Sequence, residues 1–450
     1  MEARIDKEDA DLPASERGVV EPTLAEKEAA YEKFVWDNLK RNYIGNYLHG
    51  MLGMTGFRLI NAPTFLPAYL HMISGSNTIV GLGLALQQVG SVISPIFGAT
   101  QIEHRTKVMP AAIWMGGLAR VQIVGMALAG WFMSDKPLVV AMLVLMFLFG
   151  LFMGTQRVVF GLLMAKVIPL SRRGRLQAWR NATGGLIAAI LAWAAGKYLI
   201  QGNVFGNGYA TTFAMAAFLT SMGLWALQIL LREPEPPNLP AQARFRDRVK
   251  DFPRLIMSDR GYAWFLVVQM VATASRIATP FYIIYVSSSM QLDGKTLGLL
   301  SLAFLGADTL SNLLWGYLGD KTGFRLVLVA SLAAWVAATA LLMINHHPWA
   351  IFLAFFGLGG AQSGYMMAAQ TMILEFGSRA EMPMRIAISS TAEGIMASLG
   401  PLVGGFVADH YGFDVVFGAS IGFLVVGLII LLTVVKEPRK ARLAAAMPDQ

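Results

Sequence analysis

Twelve stretches of predominantly apolar sequence follow one another along this chain, and no other feature restricts its fold as strongly. They lie near residues 46–72, 78–100, 108–133, 137–166, 178–200, 209–231, 261–288, 296–318, 325–345, 348–374, 385–408 and 413–435. About twenty such residues suffice for a helix to cross a hydrocarbon core. Strands are excluded, because an open sheet edge cannot satisfy its backbone groups in lipid. Only 14% of the 450 residues are charged, where a soluble domain carries about a quarter. The chain therefore reads as an all-α polytopic membrane protein with twelve transmembrane helices.

A formal charge of +8 could point to nucleic acid, but the basic residues are placed as a topology signal. Arg105 and Lys107 follow the second span, and Arg172, Arg173 and Arg175 the fourth. Lys321 and Arg325 follow the eighth, Arg379 and Arg385 bracket the loop after the tenth, and Lys436, Arg439, Lys440 and Arg442 end the chain. The opposite loops offer Lys136 and Lys295, with Lys197 near a span end. Both termini are thus expected in the cytoplasm, with the protein in the inner membrane and no nucleic-acid partner. The first forty residues are acidic and polar, so the first span is expected to act as its own insertion signal.

Thr23 and Glu26 form a capping-box pattern ahead of Leu24, Tyr31, Phe34, Val35 and Leu39 at helical spacing. That predicts an interfacial helix feeding the first span. The one long hydrophilic break runs from Arg232 to Arg260. Its proline-rich start reads as a semi-rigid linker, and its basic centre as a short helix at the lipid headgroups. The expected division is a cytoplasmic segment at 1–43, a six-helix bundle at 44–231, a linker at 232–260, a second bundle at 261–435 and a tail at 436–450.

The halves echo each other. Pro63 and Pro280, Gly81 and Gly298, and Glu103 and Asp320 are each 217 positions apart, as a chain of two parallel repeats would be. The stretch "GYLGDKTGFR" then resembles the loop motif of the major facilitator superfamily, with Gly316, Asp320, Lys321, Gly323 and Arg325 in its places. The first-half copy departs from it: Glu103 replaces the aspartate and Thr106 the glycine. "GPLVGG" resembles an antiporter pattern but stands at Gly400 to Gly405, in span eleven, so the subfamily stays open. The resemblance implies two pseudo-symmetric six-helix bundles, alternating access, and spans one, four, seven and ten around a central cavity. It also implies a gating role for the motif, with Asp320 just past the end of span eight, near basic residues and a helix N-terminus.

Charged residues inside the spans mark the candidate site, since an intramembrane arginine costs roughly 2.5–3.5 kcal/mol on insertion scales. Arg58, Arg120 and Arg157 have no carboxylate at their depth within their own half. The other half carries Asp308 and Glu393, with Arg276 as the matching cation. In one reading these are structural ion pairs across the interface. In the other, the cavity is electropositive and binds an anionic or strongly polar group. Arg120, on a peripheral span, is expected to be structural. The binding set expected from the second reading is Arg58, Asn61, Arg157, Arg276, Gln362 and Tyr365. Asp308 and Glu393 are the proton-coupling candidates, because burial moves a carboxyl group toward neutrality at physiological pH.

There is no cysteine, and the six histidines show no metal spacing, so neither metal nor other cofactor is expected. With no phosphate-binding loop or nucleophile arrangement, an enzyme is not expected either. What remains is a monomeric secondary transporter in the bilayer, moving a small organic solute with protons or another coupling ion. The solute is anionic if the arginines contact it. Proton-coupled efflux of amphipathic drug-like compounds is the alternative. A non-transporting sensor or lipid-handling protein on the same fold is the other.

Overall fold

The computed structural model of the chain describes residues 23–102, 106–236, 252–376, 381–435 and 437. Glu103, Arg105, Arg379, Lys436, the basic middle of the linker and the tail beyond Glu437 lie outside the described residues. All regular structure among the described residues is helical. In α1 (Leu24–Asp37) the capping box forms, with the Thr23 N–H donating to the Glu26 carboxylate at 2.8 Å. Helix α2 (Leu39–Asn61) starts well before the apolar boundary near residue 46. Its polar first turn docks even where it is exposed: Arg41 donates to the carbonyls of Leu230 and Ile229, and the buried Asn42 exchanges two hydrogen bonds with the Arg232 backbone.

Span one is not continuous. Pro63 supplies no N–H, so α2 stops at Asn61 and α3 (Phe65–Ser74) resumes the crossing. The rest of the first bundle is α4 (Asn77–Ile102), α5 (Met109–Phe132), α6 (Asp135–Val167), α7 (Leu170–Ala194, prolonged by a wide turn to Ile200) and α8 (Gly208–Leu230). Near the end of the linker, α9 (Phe252–Ser258) leads into α10 (Arg260–Ala274). A tighter 3₁₀ stretch, Ser275–Phe281, then carries Pro280 into α11 (Tyr282–Ser289). The second bundle continues with α12 (Gly294–Thr322), α13 (Phe324–Ile344), α14 (Pro348–Ile373), α15 (Met382–Tyr411) and α16 (Phe413–Thr433). Ten of the described segments are long and apolar enough to cross a membrane; the α2–α3 pair and α4 bring the crossings to twelve. Outward faces stay apolar, as lipid requires, with Phe218, Trp225, Leu313 and Val426 exposed.

Each end of the linker is pinned to its own bundle. Glu233 accepts from the N–H groups of Val108 and Met109 at 2.7 and 2.8 Å and pairs with Lys166 at 3.0 Å. Asp259 caps α10 through the Tyr262 N–H and pairs with the buried Arg385 at 3.2 Å. The bundles themselves meet on the face opposite the linker. There α4 and α15 touch backbone to backbone: a Cβ on Gly81 would strike the Pro401 carbonyl, and one on Gly405 the Asn77 carbonyl. Ser301 donates to Thr64 at 2.8 Å between fully buried partners. Asp409, in the last turn of α15, accepts from the Ser76 and Thr78 hydroxyls and from the Asn77 and Thr78 N–H groups at 2.7–3.0 Å.

Candidate functional site

The breaks in spans one and seven lie close to the two arginines that the sequence singles out. Arg58 occupies the last turn of α2, and Arg276 the 3₁₀ stretch after α10. Yet the two enter different polar clusters. Arg58 reaches across to the second bundle, where Nη1 lies 2.9 Å from the Asp308 carboxylate and donates to Thr309 Oγ1 at 2.9 Å. Room for this comes from Gly185 on α7, where a Cβ would collide with both Thr309 and Arg58. The pair is about a fifth to a quarter exposed (20% and 25% of the side chains). Asn61 turns back on its own helix, donating to the Phe57 carbonyl and accepting from Gln87 at 2.6 Å.

Arg276 belongs to the second cluster, on the wall of a cavity of about 510 Å³ between the bundles. That cavity lies within the usual range for small-molecule sites. It brings together Arg157 from α6, Arg276, Tyr365 and Gln370 from α14, Glu393 and Ser390 from α15, and Gln88 and Ser91 from α4. Met366, Ile373, Leu374 and Ile386 supply apolar wall toward the linker face. Arg58, Asn61 and Gln362 do not line it. Gln362 sits about one turn before Tyr365 in α14, and its side-chain nitrogen is buried without a hydrogen-bond partner.

Glu393 is the best-supported polar group in the cavity. Its Oε1 accepts from Gln269 Nε2 at 2.7 Å and has the Tyr365 hydroxyl at 3.3 Å. That hydroxyl also has Thr273 Oγ1 at 3.0 Å and the Gln269 carbonyl at 3.1 Å. A phenol carries a single proton, so it can serve one of these acceptors at a time. The choice is open to the charge state of Glu393. Gln269 and Thr273 are absent from the set expected from sequence; the only signal was a lone amide in the apolar run "WFLVVQMV". Arg120 is structural, as expected: it is 3% exposed and donates to the Thr220 and Gly116 carbonyls and to Gln156.

The loop motif is placed slightly differently from the expectation. Asp320 lies inside the last turn of α12 rather than beyond it, because the helix runs to Thr322 before Gly323 turns the chain. Arg325 caps the end of α16, donating to the carbonyls of Val435, Leu431 and Leu432 at 2.6–3.1 Å, while Glu437 accepts from its N–H. Those partners lie in the same bundle as Arg325. Lys321 stands over the Tyr317 ring, and Gly316 borders open space.

Comparison with known proteins bears on this geometry. The family model described as Major Facilitator Superfamily matches residues 264–448. The protein called "Multidrug resistance protein MdtG" from Salmonella arizonae is 25% identical over 408 residues, covering 87% of this chain and 95% of the relative. Its namesake from Escherichia fergusonii is 25% identical over 411 residues, covering 88% and 94%. Among solved structures, a D-xylose-proton symporter matches with a TM-score of 0.69 at 13% identity, covering 89% of this chain and 99% of that one. The nucleoside transporter NupG matches with a TM-score of 0.65 at 13% identity, covering 87% and 98%. At such identities the structures speak for the fold alone, and they agree with the two bundles described above. Over its second half the chain is thus similar to the Major Facilitator Superfamily, and along most of its length to multidrug resistance proteins and to the fold of solved membrane transporters.

Proposed function

We propose that this transporter moves a small amphipathic organic solute together with protons, by alternating access of the cavity that holds Glu393. The observation that carries the reading is one carboxylate and two guanidiniums, Arg157 and Arg276, on the wall of a cavity whose remaining lining is mixed, with neutral polar side chains on one part and Met366, Ile373, Leu374 and Ile386 on another. The arginines would hold an anionic or strongly polar group, and the apolar wall the rest of the solute. An ionised Glu393 offsets part of the positive field, and a proton on it removes that offset. Proton binding and anion binding then favour each other, which is the sign needed for cotransport. The Tyr365 hydroxyl can follow the change, turning from Glu393 to the Gln269 carbonyl. Asp308 is held by Arg58, so in this reading it tethers the bundles, and Glu393 is the proton carrier.

A second reading has the opposite sign. A cationic or neutral amphipathic compound would compete with the proton for Glu393, giving exchange and export. The names of the two MdtG relatives and the apolar wall favour it. The loops of the linker face carry most of the basic residues, which supports the reading that this face and both termini are cytoplasmic.

The test uses purified protein in liposomes with an imposed pH gradient. Glu393→Gln is expected to lose gradient-driven accumulation and keep solute exchange, because exchange needs no net proton movement. Normal accumulation by this variant would remove Glu393 from proton carriage. The sign comes from binding at two pH values. Tighter binding at low pH supports cotransport, and weaker binding supports exchange.

A further inference from the structure

The loop motif after span eight has a counterpart on the other side of the molecule. "GYLGDKTGF" runs from Gly316, and "GFVADHYGF" runs from Gly405. The glycine, the aspartate four residues on, the glycine three further and the phenylalanine after it coincide. The backbone coincides too. Gly323 has φ 95° and ψ 155°, and Gly412 has φ 86° and ψ 168°. Each ends one helix and begins the next with no residue between, in a region that L side chains avoid. Span eight ends on the linker face, whereas span eleven ends opposite it. The second copy therefore places Asp409 where the two bundles meet. There the carboxylate takes four hydrogen bonds from Ser76 and the first two residues of α4, which belong to the other bundle. A negative charge at a helix N-terminus is held both by these donors and by the helix dipole.

We infer that Asp409 is a gate residue of the transport cycle. Its bond to the start of α4 holds the face opposite the linker shut while the cavity opens toward the linker face, and it must break for the cavity to open the other way. The inference is independent of which solute or coupling ion is carried. Among the contacts described at that seam Asp409 makes the charged hydrogen bonds, with His71 of the first bundle within its electrostatic reach; Thr64 and Ser301 are neutral, and Gly81, Pro401, Gly405 and Asn77 meet through backbone.

The absence of native cysteine allows two single-cysteine reporters in purified full-length protein. Thr64→Cys is buried in the seam and reacts with a maleimide when that face opens. Ser390→Cys lines the cavity and reacts when the linker face opens. Asp409→Asn is expected to speed labelling at the first reporter about tenfold, the scale of a lost charge-assisted hydrogen bond, and to slow it at the second. Thr78→Ala, which removes one donor from the other bundle, should move both rates the same way by less. Asp409→Glu, which keeps the charge, should return them part of the way. Unchanged rates at both reporters in protein that melts normally would overturn the inference. Faster labelling at both, with a lower melting temperature, would also overturn it and mark Asp409 as a structural cap.

Discussion

Arg58 stands in α2 and Asp308 in α12, so the 2.9 Å contact between them joins the two bundles at mid-depth. Removing one partner strands the other charge. For a fully buried pair that costs about 3–5 kcal/mol, and the partial exposure here lowers it to roughly 2 kcal/mol. Arg58→Ala is therefore expected to lower the melting temperature, and adding Asp308→Ala to restore most of the loss. A double variant no better than the single one would assign Arg58 to something other than this pair. Tyr365→Phe is a finer probe. It keeps the ring and deletes the hydroxyl, so stability should fall by only about 1 kcal/mol, while the pH dependence of solute binding shifts. These charges were legible in the sequence because hydrocarbon makes any charge conspicuous. Gln269 and Thr273 were not, because a neutral polar side chain in a span usually satisfies itself locally, as Thr55 does on the Met51 carbonyl. Asp409 was hidden for another reason: a carboxylate at a span end looks solvated until the neighbouring helix is known.

Helix boundaries follow the apolar stretches closely wherever hydrophobicity alone decides them, as in α13 and α14. They fail at α2, where Arg41 and Asn42 are polar yet docked on the carbonyl end of α8. The prolines of spans one and seven, matched in sequence, act differently in structure. Pro63 separates two helices, whereas Pro280 rides within a continuous 3₁₀ stretch. The sequence registers the proline but not how neighbouring packing absorbs the missing N–H. The caps make a sharper element-scale prediction. Arg325 fastens the end of α16 to the start of α13 within one bundle. Arg325→Ala should cost about 1.5–3 kcal/mol of stability without changing the balance between the two labelling reporters. A shift in that balance would give Arg325 a part in switching. Asp293 caps α12 by accepting from the Thr296 N–H at 2.8 Å, and its bonds to Thr296 hold its carboxyl below the usual range. Its loss to alanine should cost about 1 kcal/mol.

At the scale of the molecule, span count and the 217-residue offset carry the architecture, because lipid leaves a helical chain few alternatives. The seam between bundles was not legible, since part of it is backbone contact at Gly81 and Gly405 and the rest, at Asp409 and Ser301, shows only once the neighbouring helix is placed. Orientation is checked with single cysteines and an impermeant reagent in intact cells. Asn203→Cys should label from outside, and Ser258→Cys only after the membrane is opened; the reverse would invert the topology. The pinned linker ends have a consequence for chain continuity. Glu233 belongs to the first bundle and Asp259 to the second, so none of these bonds runs between them. Severing the peptide between the two should then leave a nicked protein that holds together through its seam. A protease site inserted at Ala243 and cut after purification is expected to yield two fragments that co-migrate and still cycle between open faces. Fragments that part on cleavage would make the linker a tether that the transport cycle needs.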